Sequence, residues 1–181
     1  MPDSLTLRAI ADHFADCDGI SDPQERKSQL RQLRAITQAG IIFPDASVSQ
    51  GQTAVFSAVK VAQLRVLQAL LDTGFKGPVL GKFAAHLTKT PNTGAAGDGP
   101  GTMIAFAVEG TRNGEDWVLD IRVSRRPDSD VPEYLGGLRR ADETRNSASD
   151  QILAAGRVLY AAITLPVSDL IRPVLDAMDA N

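Results

Sequence analysis

The sequence predicts an α+β protein with a mostly helical amino-terminal half and a carboxyl-terminal half that contains β-strands. Residues 5–88 carry apolar side chains at helical spacing, and residues 88–101 are dense in glycine and proline. Runs of β-prone apolar side chains follow. The chain of 181 residues is long enough for two small domains, each with a modest core. We therefore expect domains at 1–88 and 102–181, joined by a flexible linker at 89–101.

The first predicted helix covers about residues 5–15. Asp3 or Ser4 is available to cap its first turn. Apolar residues recur along it at spacings of three and four, so that one face can pack against a core: Leu7, Ile10, Ala11 and Phe14. The segment that follows, residues 16–23, is polar and interrupts the helix.

The second predicted helix carries a row of cationic and amide side chains. It begins with a capping box in which Asp22 is the N-cap, Pro23 is the first helical residue and Glu25 reaches back, and it ends at Gly40. Four side chains recur at i, i+4, i+7 and i+11 and share one stripe: Lys27, Arg31, Arg34 and Gln38. A neighbouring apolar stripe can pack against the core, which leaves the cationic stripe to reach phosphates and base edges.

Three further elements complete the predicted amino-terminal domain. A polar stretch precedes the β-prone run 53–56, so we expect a two-stranded wing at about 46–56. Ser57 is the predicted N-cap of a third helix, which has a broad apolar face and ends near Gly74. A fourth helix is expected to begin at Pro78.

The carboxyl-terminal half is predicted to contain a β-hairpin, one further strand and a closing helix. The apolar runs at 102–109 and 117–124 predict two strands joined by a polar loop. Residues 125–149 are polar and contain prolines and paired glycines, which predicts a loop or mobile segment. A strand is expected at about 158–164, where a buried helix is the alternative, and a helix at 166–178.

The charge of the chain is unevenly distributed. A net charge of −3 argues against a simple polycation that coats nucleic acid. Residues 1–90, however, contain 10 lysines and arginines against 8 acidic residues, a net charge of +2, whereas residues 91–181 have a net charge of −5. A surface for nucleic acid is therefore expected in the amino-terminal half.

The sequence gives little support for catalysis, metal binding or membrane insertion. The single cysteine, Cys17, has no internal disulfide partner, and with only His13 and His86 the chain has no zinc-binding pattern. It also lacks a phosphate-binding glycine loop, a nucleophile elbow and a metalloprotease motif. No leader-like segment or membrane-spanning apolar stretch is present. We expect a cytoplasmic protein that is not an enzyme and needs no cofactor or metal.

The order of elements in residues 5–88, just under half of the chain, resembles the winged helix-turn-helix domain of MerR-family transcription regulators. That family has a second-helix signature of the type Thr-Leu-Arg-Tyr-Tyr-Glu, two spacer residues, then Gly-Leu-Leu and Pro. Residues 32–37 (Gln-Leu-Arg-Ala-Ile-Thr), residues 40–42 (Gly-Ile-Ile) and Pro44 fall in register with it. Residues 55–57 and 64–75 resemble the wing strand and the helix after it.

The resemblance implies that the protein binds double-stranded DNA through the cationic stripe. Arg34 matches the signature arginine and Arg31 the polar or basic position before it, so these two are the principal predicted contacts. A guanidinium can form two hydrogen bonds to a phosphate or to the O6 and N7 atoms of guanine. Lys27 would act mainly as a point charge on the backbone, and Gln38 extends the same stripe.

Further contacts and a second copy are expected as well. Gln52 in the wing and Lys60 at the start of the next helix are secondary candidates for phosphate contacts. Because one short helix supplies few contacts, we expect a homodimer that reads two half-sites, with the domain at 102–181 mediating dimerisation or binding a protein partner. The predicted function is that of a sequence-specific transcription regulator or DNA-organising factor.

Two other hypotheses remain because the sequence departs from the family pattern. Ala35 and Ile36 replace the two signature tyrosines, Phe56 replaces the wing tyrosine, and the long dimer-forming helix is replaced by the linker and the second domain. One alternative is a protein-interaction adaptor, for example of phage origin, whose winged helix no longer binds DNA. The other is small-ligand sensing through the apolar hairpin domain.

Overall fold

The computed structural model describes residues 4–45, 53–90, 101–143 and 155–180. Within those ranges the chain forms six helices and two small antiparallel sheets, which confirms the predicted α+β class. The first sheet pairs β1 (Ser4–Thr6) with β2 (Val55–Ser57). In the second sheet the middle strand is β3 (Trp117–Arg125), and its two neighbours are β4 (Glu133–Arg140) and β5 (Val158–Pro166).

The helices begin where the sequence supplies capping side chains. In chain order they are α1 (Leu7–Cys17), α2 (Pro23–Gln38), α3 (Ala58–Asp72), α4 (Pro78–Leu87), α5 (Met103–Arg112) and α6 (Val167–Asp179). Thr6, Asp22 and Thr102 each accept a hydrogen bond from the backbone N–H three residues further on. These bonds satisfy donors that would otherwise be unpaired in the first turns of α1, α2 and α5.

The first four helices follow the predictions closely. Asp22 caps α2 as expected, and α4 begins at the expected Pro78. Thr6 rather than Ser4 caps α1, because β1 keeps the preceding residues extended, and Asp3 lies outside the described residues. Ser57 precedes α3 as expected, but its side chain makes no capping hydrogen bond.

The predicted wing is described only in part, since residues 46–52 lie outside the described ranges. The β-prone run does form a strand, β2, whose partner is the amino-terminal strand β1, with Leu5 opposite Phe56. Phe56 is buried, and Asp45 accepts a hydrogen bond at 2.5 Å from the backbone N–H of Ser57. This part of the predicted wing is therefore tied to the start of the chain.

The hairpin predicted from residues 102–109 and 117–124 is wrong, because residues 103–112 form helix α5. Its buried side chains, among them Ile104 and Val108, recur at helical spacing and pack into the core. The short run Met-Ile-Ala-Phe-Ala-Val is apolar throughout, so periodicity alone does not separate a buried strand from a buried helix. The strand predicted at 117–124 is correct and is β3.

The loop predicted over residues 125–149 is also wrong where β4 lies. Paired glycines and charged terminal residues are untypical of a strand, but the backbone of β4 pairs with β3 along its whole length. Gly136 faces the ring of Phe83, and a Cβ atom there would lie 2.5 Å from that ring. A residue without a side chain allows α4 to approach the strand.

The last two elements confirm the predictions for the end of the chain. β5 contains the predicted strand, and its residues alternate between exposed and more buried positions, as expected for a strand with one packed face. α6 follows it directly and includes Pro173 within the helix. Ser168 near its start accepts a hydrogen bond at 2.8 Å from the backbone N–H of Trp117 and contacts Thr111 at 2.7 Å, which joins α6 to β3 and α5.

Both predicted domains contribute to one hydrophobic cluster. α6 packs against α1 and α3 as well as α5, and α4 packs against β4. The cluster includes side chains from both halves, for example Phe14, Leu67, Leu87, Ile104, Leu119 and Ile171. Most of the predicted linker at 89–101 lies outside the described residues, although the Lys89 carbonyl accepts a hydrogen bond at 2.9 Å from the backbone N–H of Met103. The division into two domains stays a prediction.

Asp120 joins the three strands of the second sheet. Its Oδ1 accepts a hydrogen bond from Thr164 of β5 at 2.6 Å, and its Oδ2 accepts one from Nε of Arg139 of β4 at 2.7 Å. Burial alone raises the pKa of this carboxyl, but these hydrogen bonds and the charges of Arg139 and Arg122 outweigh burial. The net result is a pKa below the ordinary value of 3.8.

We expect Asp120→Asn to remove stability mainly at neutral pH. Because the folded-state pKa is below that of the unfolded chain, ionised Asp120 contributes stability above the ordinary carboxyl pKa, and that stability is lost as the pH falls through the folded value. Hydrogen bonds to a charged group suggest a loss of about 1 to 3 kcal/mol near neutral pH. Urea unfolding of the wild type and the variant from neutral to acidic pH measures the difference in their free energies of unfolding. This difference should shrink in acid. A difference that is constant with pH would contradict this account.

Candidate nucleic-acid interface

Helix α2 packs one face into the protein and leaves the opposite face in solvent. Leu33 and Ile36 are buried in the hydrophobic cluster, and Gln29 is buried beside them. At about 100° per residue, these three side chains centre on the side of the helix opposite the predicted stripe. The outward orientation of the stripe therefore follows from the burial of the other face.

The predicted stripe is exposed along its whole length. Lys27, Arg31, Arg34 and Gln38 are all exposed. On a regular helix they fall within an arc of about 60° and extend over about 16 Å of the axis. The structure therefore brings four of the six predicted DNA contacts together on one surface.

The cations of this stripe are not neutralised by neighbouring acids. Within the described ranges, Lys27, Arg31 and Arg34 form no ion pair or side-chain hydrogen bond. Arg26 on the flank of the same helix differs, since its Nε donates to the Ile20 carbonyl at 2.9 Å and it pairs with an aspartate. Glu25 lies about 160° around the helix from Lys27. The stripe therefore presents positive charge to solvent.

The other two predicted contacts are not placed on this surface. Lys60 is half-buried in the first turn of α3. Gln52 lies outside the described residues. Their assignment as secondary phosphate contacts stays a prediction.

Gly40 ends the helix, and the segment that follows anchors it. Its φ of +67° lies in the left-handed region that glycine adopts without strain, and the N–H of Ile41 returns to the Ile36 carbonyl at 3.2 Å. Ile42 is buried and fixes the segment to the core. Phe43, in contrast, is 66% exposed, so an aromatic ring lies in solvent just beyond the stripe.

A charged cluster that sequence reasoning missed holds α2 against its neighbours. Arg65 of α3 is 9% exposed, and its guanidinium binds both carboxylate oxygens of Asp18, with 2.9 Å between Nη1 and Oδ2. Gln29 of α2 donates to the same Oδ2 at 3.0 Å. The guanidinium also lies 5.1 Å from the ring centroid of Phe14 in α1. Arg65 thus connects α3 to α1, to the turn that follows it and to α2.

The sequence carries only a faint signal of this cluster. Arg65 is a charged residue within the apolar stretch of α3, where a buried charge requires a partner. Asp18 lies far away in sequence, in the polar segment between α1 and α2, and no local pattern connects the two. Their role is to position α2.

Other chemistry on the described residues is sparse. No group of three or more histidine, cysteine, aspartate or glutamate residues there could hold a metal ion. Cys17 is a free cysteine, and desolvation raises the pKa of its thiol although the charge of Arg65 opposes this, so the thiol is protonated near neutral pH. None of the described helices is both long and apolar enough to span a bilayer.

Comparison with known proteins adds no family assignment. The chain matches none of the protein-family models against which it was compared, and no curated protein matches it significantly. Function is therefore inferred from the exposed surface of α2 and from the contacts that hold that helix in place.

Proposed function

We propose that the protein is a sequence-specific DNA-binding protein, a dimeric transcription regulator that presents α2 to double-stranded DNA. The observation that carries this proposal is the exposed, unpaired cationic stripe on a helix whose opposite face is fixed in the core. A helix of 16 residues is about 24 Å long and fits the major groove, which is about 12 Å wide. The order of helices and strands in residues 5–88 supports a MerR-like winged helix.

Each side chain of the stripe has a distinct role in this proposal. Arg31 and Arg34 bind phosphate or the O6 and N7 atoms of guanine through two hydrogen bonds each. Gln38 can pair with the N6 and N7 atoms of adenine. Lys27, at the start of the helix, neutralises a phosphate without reading sequence.

Two copies bind together in the proposed complex. A single α2 offers four contacts over about 16 Å, which covers less than one turn of the duplex. A second copy at a half-site one helical turn away doubles the contacts and raises the affinity through effective concentration. In this proposal the carboxyl-terminal half supplies the dimer contact.

A salt titration tests the phosphate contacts directly. The affinity for a bound duplex should fall steeply as the salt concentration rises, because each neutralised phosphate releases counterions. Lys27→Ala should reduce the slope of log Kd against log salt by about one and weaken binding to all sequences alike. Fluorescence anisotropy on a selected duplex and on a scrambled one measures both effects. An unchanged slope would remove Lys27 from the interface.

A second candidate function, protein interaction through the carboxyl-terminal half, is favoured by exposed apolar side chains on the second sheet. Among the described residues of its edge strands, Leu135, Val158 and Tyr160 are between 42% and 51% exposed. Leu135 of β4 and the exposed Ala162 of β5 both lie opposite Arg122 of β3, which is itself buried, so the exposed apolar surface on this face belongs to the edge strands. Such a face suits a dimer contact or the partner of an adaptor protein.

A further inference from the structure

A cleft lies beside the contact between α4 and β4, the strand at one edge of the second sheet. It has a volume of about 400 Å³, and its walls include Phe83 from the helix and Tyr134 and Gly136 from the strand. Clefts of this size are typical of sites for small molecules. One wall belongs to the predicted DNA-binding half of the chain and the other to the second half.

The floor of the cleft is aromatic and fixed in place. Phe75 packs edge-on against both Phe83 and Tyr134, with ring centroids 5.6 Å and 5.7 Å apart. Gly136 permits the ring of Phe83 to lie directly against the strand, where any larger residue would clash. Phe83 is only 3% exposed, so it supports the floor from below, and the accessible aromatic surface is that of the half-buried Tyr134.

The rim of the cleft is cationic. Lys82 lies on α4 and Lys89 two residues beyond its end; both line the cleft, both are exposed, and neither forms an ion pair in the described part of the chain. His86 lies between them and is half-buried, and burial followed by the charge of Lys89 lowers its pKa. Its imidazole is therefore neutral at physiological pH and can donate or accept a hydrogen bond. No acidic residue is among those that line the cleft.

We propose that this cleft binds a small aromatic carboxylate. The ring of the ligand lies on the half-buried Tyr134, and its carboxylate lies between Lys82 and Lys89, where it supplies the negative charge that the cleft lacks. An inorganic anion would leave the aromatic floor uncovered, and a neutral aromatic molecule would leave both ammonium groups without a partner. The inference does not depend on the DNA-binding proposal.

Binding at this site has a direct consequence for stability. The ligand contacts α4 and β4 together, so it favours the folded arrangement in which the two halves of the chain pack. It should therefore raise the melting temperature of the free protein by about 3 °C at ten times its dissociation constant. This effect is measurable in the absence of DNA.

The first experiment compares 2-naphthoate with its neutral analogue 2-naphthamide and with acetate, by calorimetric titration and thermal unfolding of the full chain. We expect 2-naphthoate to bind about tenfold or more tightly than either probe, since only it satisfies both the floor and the rim. Equal binding of 2-naphthoate and 2-naphthamide would overturn the role of the lysines. Absence of 2-naphthoate binding would overturn the site.

Ala85→Glu supplies a matched test inside the protein. Ala85 is exposed in the cleft wall, three residues after Lys82 on α4 and four before Lys89, so a glutamate there adds one negative charge beside the two lysines without disturbing a buried atom. This variant should fold and lose 2-naphthoate binding by about tenfold or more, whereas Ala85→Gln, of equal size but uncharged, should retain it. Equal behaviour of the two variants would overturn the assignment of the carboxylate to Lys82 and Lys89.

Discussion

Replacing Arg31 and Arg34 together by alanine is expected to abolish sequence-selective DNA binding and to leave the fold intact. Both side chains are exposed and form no ion pair or side-chain hydrogen bond within the described residues, so their removal takes none of these from the folded state. Alanine also favours the helix. Each contact of two hydrogen bonds to a base contributes about 1 to 3 kcal/mol, so the double variant should bind about 30-fold to about 20,000-fold more weakly.

Anisotropy titration on a selected duplex measures this loss, with circular dichroism and thermal unfolding as controls for the fold. Arg31→Lys combined with Arg34→Lys provides the matched control, because it keeps both charges but removes the paired hydrogen bonds. The lysine variant should retain non-specific binding and lose selectivity. If the alanine variant binds the selected duplex as the wild type does, α2 is not the DNA-contacting helix.

Asp18→Ala should cause the largest loss of stability among substitutions near the interface. It leaves the guanidinium of Arg65 buried without its counter-ion, and it also removes the acceptor of Gln29. Breaking a buried ion pair in this way typically costs about 3 to 5 kcal/mol. Because the Asp18 side chain is 31% exposed, we expect about 3 kcal/mol, or a melting temperature about 10 °C lower.

Urea unfolding of the single variant and of the double variant Asp18→Ala/Arg65→Met distinguishes this mechanism from a general packing defect. Removing both charges should recover most of the lost stability, because an apolar side chain can replace the buried ion pair. A double variant as unstable as the single one would show that the isolated charge is not the cause. A loss below about 1 kcal/mol for Asp18→Ala would show that the pair is too hydrated to hold α2.

The boundaries of α2 could be predicted because the residues at its two ends determine them. Asp22 and Pro23 favour a helix start, and Gly40 favours an end, whatever the rest of the chain does. The spacing of Lys27, Arg31 and Arg34 then fixes their common face. Their exposure follows once Leu33 is known to pack.

The secondary structure predicted for the carboxyl-terminal half is wrong in two places because tertiary contacts, which local sequence patterns do not show, decide it there. Residues 103–108 are uniformly apolar, so their sequence does not distinguish a buried helix from a buried strand. Their packing in the core decides between the two. β4 contains paired glycines, which have a low intrinsic preference for a strand. It forms a strand because its backbone pairs with β3 and because Gly136 leaves space for the ring of Phe83. The pairing of Asp18 with Arg65 spans 47 residues and leaves no local trace.

One titration of the purified protein decides whether α2 binds DNA. The purified protein is titrated against genomic DNA fragments, including the region upstream of its own gene, at low and at near-physiological salt, with the Arg31→Ala/Arg34→Ala variant alongside. We predict selective binding that weakens steeply with salt and is lost in the variant. Absence of wild-type binding at both salt concentrations would contradict this function and favour the adaptor function, with the exposed apolar side chains of β4 and β5 as the partner-binding surface.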